Sequence, residues 1–182
     1  MPYTVETKQG NLLDEKNATF IVNASNTRLI LGSGVSMAFK ERCGLVLEYE
    51  MQEKLGEIDT LNKGDVVVTS SGEAKHFDYA MHVAVMDYAQ GVRGTDKYPT
   101  LKEIKTALEN IELYLLWFYK RYPDKKLSLT LPLLGCGVGN LQKNDVIHLY
   151  KRFFSRKVSL KCSVVIYGYT EEDFALIESI FM

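Results

Sequence analysis

The sequence predicts an α/β fold, a mixed, largely parallel sheet with helices on both faces. Three observations carry this. Short apolar or alternating segments recur along the 182 residues. Stretches with the three-to-four-residue repeat of an amphipathic helix lie between them. Several of the short segments are apolar without alternation, as in strands covered on both faces.

In chain order, the first strands are expected at "YTVETK" (3–8) and "ATFIVNA" (18–24). One helix begins near Val35 in "GVSMAFKERCG", and another continues from Leu45. Two strands follow, "DVVVTSS" (65–71) and "YAMHVAV" (79–85). The clearest helix is "PTLKEIKTALENIELYLLWFYKRY", where Leu101, Ile104, Leu108, Ile111, Leu115, Phe118 and Tyr122 recur at three and four residues. Thr100 and Glu103 make a capping box at its start. Next come a strand in "LSLTLPLL" (127–134) and a helix with Val146, Ile147, Tyr150, Phe153 and Phe154 on one face. The strand "KCSVVIYGY" (161–169) precedes a last helix, running from Thr170 to Phe181. The Thr170 side chain can cap that helix, with Asp173 three residues on.

Composition narrows the classes of function. Hydrophobic residues at 46% and charged residues at 25% are ordinary for a soluble globular chain, and the length suits one domain over 1–182. Lysine plus arginine number 22 against 23 acidic residues, a net charge of -1, so no broad basic field attracts nucleic acid or an anionic membrane. Any bound anion must be held locally. Cys43, Cys136 and Cys162 are odd in number and far apart, which suits a reducing compartment and argues against disulfides or a structural zinc; no metal and no cofactor is expected. "MPYTVETKQG" lacks the basic and apolar regions of a signal peptide, and no window reaches the ~18 apolar residues of a membrane span. The expected address is the cytoplasm.

Two glycine-rich junctions stand out. In "ATFIVNASNTRLILGSGVSMAF" an apolar strand passes through an Asn-rich turn to Gly32, Ser33 and Gly34 and then a helix. In "LTLPLLGCGVGNLQKND" four leucines run into Gly135, Gly137 and Gly139, again before a helix. Glycines bring backbone N–H groups close to a ligand and a helix N-terminus adds a positive dipole end, so the pair suggests a diphosphate held between opposing loops. Either loop alone reads equally as a tight turn or cap. Neither matches the Rossmann or Walker pattern. Asn23 and Asn26 are able to pin a turn through their own backbone or to meet sugar hydroxyls, since an amide both donates and accepts.

Taken together, "QGNLL", "IVNASNTRLILGSGVSMAF", "LPLLGCGVGNL" and "VVIYGYTEEDFALIESIF" resemble the macro domain family across nearly the whole chain. The resemblance implies a three-layer α/β/α sandwich that binds ADP-ribose across the strand ends. It implies that Asn26 contacts the distal ribose and orients it in any catalysis, with Asn23 supporting that loop. Gly32, Ser33, Gly34 and Val35 would offer N–H groups to one phosphate, and Gly135, Cys136, Gly137, Val138 and Gly139 would wrap the other. Tyr167 would stack on adenine or serve as a core tyrosine. Leu12 would lie beside Asn11 at the adenine end.

Departures from the pattern bear on activity. Asn11 stands where many members have an aspartate that accepts the adenine amino group, so weaker adenine selectivity is expected. Ser36 replaces the acidic residue of one hydrolase subgroup. The region of Val85 and Gly139 lacks the lysine and aspartate of another, and Leu141 replaces an aromatic residue. His82 and His148 read as structural, and Cys136, though a nearby helix start could lower its pKa, as loop packing. The leading expectation is therefore a reader of ADP-ribose or mono-ADP-ribosylated targets, with nucleic acid bound only where it carries ADP-ribose, and a monomer. A slow ADP-ribosyl hydrolase or ADP-ribose 1''-phosphate phosphatase is the second reading. A nucleic-acid or protein interaction module is the third, because Lys40, Arg42, Lys151, Arg152, Arg156 and Lys157 more often make a solvated face.

Overall fold

The computed structural model describes residues 3–182; Met1 and Pro2, part of the expected domain, lie outside the described residues. Six strands form one sheet: β1 (Thr4–Gln9), β2 (Ala18–Asn26), β3 (Val66–Ser70), β4 (Phe77–Met86), β5 (Ser128–Leu131) and β6 (Ser163–Gly168). Their order is β1-β6-β5-β2-β4-β3. Every pair is parallel except β3 on β4. The helices are α1 (Val35–Gly56), α2 (Leu101–Arg121), α3 (Lys143–Phe154) and α4 (Glu171–Phe181).

The sheet separates two apolar clusters, giving the three-layer sandwich. On one face Phe39, Cys43, Leu47 and Met51 of α1 bury against Ile21, Ala80 and Val165. On the other, Ile104, Leu108, Val146, Tyr150 and Ile177 from α2, α3 and α4 bury against Phe20, Val22, Met81 and Leu129. Neighbouring residues of β2 thus serve opposite cores, which is why its sequence does not alternate.

Element ends have local causes. β5 stops at Leu131, short of the expected 134, because Pro132 has no N–H to continue the ladder. β2 runs past the expected 24 to Asn26, where a register shift after Ser25 keeps it paired to Met86. α1 holds both expected helices, broken at Gly44 (φ 71°, ψ -176°), and there the Cys43 carbonyl accepts from the Glu73 N–H at 2.9 Å instead. The edge strand β3 is blunted by Glu50, which accepts from the Ser70 N–H (2.8 Å) and hydroxyl (2.5 Å).

The capping box forms as read. Thr100 Oγ1 accepts from the Glu103 N–H at 3.4 Å, and Glu103 Oε2 accepts from the Thr100 N–H at 3.1 Å. Thr100→Ala is expected to cost about 1 kcal/mol, lowering Tm by a few degrees in a thermal melt. An unchanged Tm would show that packing alone holds this helix end.

Candidate functional site

Parallel strands deliver their carboxyl ends to one side of the sheet, and the segments leaving β1, β2, β5 and β6 meet there around a cleft. Its larger chamber, about 540 Å³, is lined among others by Asn11, Leu12, Glu41, Cys136, Lys143 and Tyr167. A smaller chamber of about 210 Å³ is lined among others by Ala24, Ser25, Ser33, Val85, Val138 and Gly139. Gly34, Val35, Pro132, Leu133 and Gly137 line both, so the chambers share a wall. The two glycine loops face one another across that wall.

Each loop is shaped by its neighbours. Gly34 precedes the first turn of α1 with no side-chain cap, which leaves the amino end of that helix facing the cleft. In the second loop the Leu141 N–H donates to the Gly135 carbonyl at 2.9 Å and closes a tight turn. Leu141 itself packs over Gly135 and lines neither chamber.

The asparagines are spent differently. Asn26 Oδ1 accepts from the Arg28 N–H (3.0 Å) and the Ile30 N–H (3.3 Å), while its Nδ2 donates to the Ile30 carbonyl (2.9 Å). It is buried and lines neither chamber. The amide thus folds a tight turn through Leu29, at φ 50°, and keeps one Nδ2 hydrogen beyond these bonds. Asn23 supports the loop from within, accepting from the Ser36 hydroxyl (3.0 Å) and donating to His82 Nδ1 (3.0 Å). Gly32 also lies outside the lining. Asn11 caps the short turn Leu12–Asp14, its Oδ1 accepting from the Leu13 N–H at 3.0 Å. That backbone donor fixes the amide's orientation and leaves Nδ2 and one oxygen lone pair uncommitted.

Of the remaining expected residues, Leu12, Ser33, Gly34, Val35, Gly135, Cys136, Gly137, Val138, Gly139 and Tyr167 all line the cleft. Tyr167 is a core residue at the wall of the cleft. It is buried to 8% exposure yet borders the larger chamber, and its hydroxyl donates to Glu15 at 2.6 Å, with Lys8 paired to the same carboxylate at 2.9 Å. Burial first, and then the Glu15 carboxylate, raise its phenol pKa, so the ring stays neutral and pinned. Burial pushes the Cys136 thiol up to about 12, against the lowering that a nearby helix start suggested. It is loop packing, not a thiolate. His148 bonds its own helix, at Asn144 O.

Pro132, Leu133, Lys143, Asp173, Glu41 and Tyr169 also line the larger chamber, and sequence reasoning missed them as site residues. Only Pro132, placed between an apolar strand and a glycine loop, carried a local signal.

The Macro domain family model matches residues 22–150. A protein of Sulfurisphaera tokodaii is 26% identical over 174 residues, covering 93% of this chain and 86% of its own length. Among solved structures, a mutant of the Oceanobacillus iheyensis macrodomain with ADPR superposes with a TM-score of 0.77 at 19% identity, covering 98% of this chain and 92% of that one. A Trypanosoma brucei macrodomain in complex with ADP-ribose gives 0.72 at 17% identity, over 96% of this chain and 68% of that one.

Proposed function

We propose, on the premise that this chain belongs to the macro domain family, that it binds ADP-ribose, free or attached singly to a macromolecule. The observation that carries the reading is the pair of glycine loops facing each other over two adjoining chambers, about 540 and 210 Å³. The shared wall at Gly34, Val35 and Gly137 suits a diphosphate, whose charge backbone N–H groups accommodate without a bound cation. The larger chamber offers the pinned Tyr167 ring for adenine. The smaller one accommodates the distal ribose. Solved macrodomains of the same fold that hold ADPR, ADP or ADP-ribose support this class of ligand.

Binding is favoured over hydrolysis by what surrounds the smaller chamber. Its lining residues carry no acid, base or thiol side chain, and breaking a glycosidic bond needs a group to activate water and another to steady the leaving oxygen. We read the protein as a monomeric module in the cytoplasm, and no described helix is long and apolar enough to cross a membrane. It meets nucleic acid only through an attached ADP-ribose.

Titration calorimetry with ADP-ribose is expected to give one saturable site. Mono-ADP-ribosylated protein incubated with the chain is expected to keep its label. No heat and no displacement at millimolar ADP-ribose would sink the reading, and rapid release of the label would move it to the hydrolase class.

A further inference from the structure

Three charged residues line the cleft: Glu41, Lys143 and Asp173. Their side chains sum to a negative charge, facing a space assigned to a ligand that is itself doubly negative. Positive potential must come from backbone N–H groups and from Lys143. That lysine is the first residue of α3, where a cation opposes the helix dipole. The helix gains nothing from it there.

Lys143 donates to Asp173 Oδ1 at 2.6 Å. The partners are unequal: the aspartate side chain is 11% exposed, whereas the lysine side chain is 45% exposed and keeps room to move. An ammonium has three donors, and Asp173 uses one. Lys143 shares the larger chamber with Cys136 and Gly137 of the second glycine loop. Its charge also reaches that loop, acting on the Cys136 thiol in the direction opposite to burial.

We infer that Lys143 is a ligand-binding residue of this cleft, its ammonium turning from Asp173 toward the diphosphate, and that Asp173 tunes affinity by competing for that ammonium. This rests on the ADP-ribose reading. Asp173 is suited to the part because the cap of α4 is made by its backbone: its N–H donates to Thr170 Oγ1 at 3.1 Å. Replacing the carboxylate by an amide leaves that cap intact. The pair thereby supplies a cation that is held near the site without ligand and released to it on binding.

The two partners should therefore shift affinity in opposite directions, which a merely structural ion pair would not do. Calorimetry with ADP-ribose is expected to show Lys143→Met weakened by about tenfold, the size of one well-placed charge contact, and Lys143→Arg close to wild type. Asp173→Asn is expected to bind several-fold tighter, with a salt dependence at least as steep as wild type, while Lys143→Met loses part of that dependence. Adenosine, which has no phosphate, should bind all four proteins alike. The inference is overturned if Lys143→Met binds ADP-ribose as wild type does, or if Asp173→Asn and Lys143→Met weaken it together. Melting curves for each variant identify a loss that is only unfolding. A wild-type chain that takes up no ADP-ribose removes the reading beneath this inference, and that result is distinct from either overturning outcome.

Discussion

Gly139→Ala is expected to weaken ADP-ribose binding at least tenfold and to destabilise the fold by roughly 1–3 kcal/mol, the cost of an overpacked site. A β-carbon at Gly139 would sit 2.6 Å from the Gly135 carbonyl oxygen and 2.9 Å from Pro99 Cγ. Backbone cannot swing aside as a side-chain tip can. The same Gly135 oxygen accepts from the Leu141 N–H, so moving it opens the turn that presents the loop to the cleft. Gly135 is held from the other side, at φ 78°, with Leu141 Cδ1 at 2.7 Å from its would-be β-carbon. Gly137 is the useful comparison because nothing lies within 4 Å of its added carbon and its φ is ordinary. Gly137→Ala should melt with wild type, within about 0.5 kcal/mol as surface substitutions do. If Gly139→Ala melts and binds as Gly137→Ala does, the close approach at Gly135 is not what shapes the loop.

That contrast explains how far the site was legible in the sequence. Alternate glycines after a leucine-rich strand announced a backbone-lined turn, and the structure puts them there. Which glycine is indispensable depends in part on Pro99, brought in from outside the loop, and no local pattern encodes that. The same division holds for the fold. Helix starts at Thr100 and Thr170 were readable because a cap is a contact between residues three apart. The end of β5 at Leu131 was not foreseen, although Pro132 was in plain view, because apolar residues continue past it. Lys143 and Asp173 lie 30 residues apart on different helices and meet only once the sheet is assembled. At Asn26 the turn-pinning role was legible as one of two readings of the residue, and its amide makes three bonds inside its own turn.

His82 carries the second large effect, on stability and not on binding. It is fully buried in β4, with Asn23 Nδ2 donating to Nδ1 at 3.0 Å and Nε2 bonded to Thr69 Oγ1 at 2.8 Å. The Thr69 hydroxyl continues to the Ser70 carbonyl at 2.9 Å, so this chain of donors holds the imidazole neutral, with its proton on Nε2. Burial pushes its pKa down from 6.5 to about 3. A base depressed on folding binds its proton more readily in the unfolded chain. Its contribution is therefore complete above about pH 6.5 and drains as pH falls toward 3, at up to about 1.4 kcal/mol per pH unit. His82→Gln retains donors and acceptors but does not titrate. Urea unfolding at pH 7 should find it about 1–3 kcal/mol less stable than wild type, the cost of disturbing a buried polar network. Between pH 6 and pH 4 that gap should close and then reverse, because acid penalises only the protein that keeps the histidine. Carboxylates elsewhere titrate equally in both proteins and cancel from the difference. A gap that stays constant over that range would mean that His82 takes up its proton in the folded state, and the chain from Asn23 to Ser70 would have to be redrawn around an imidazolium.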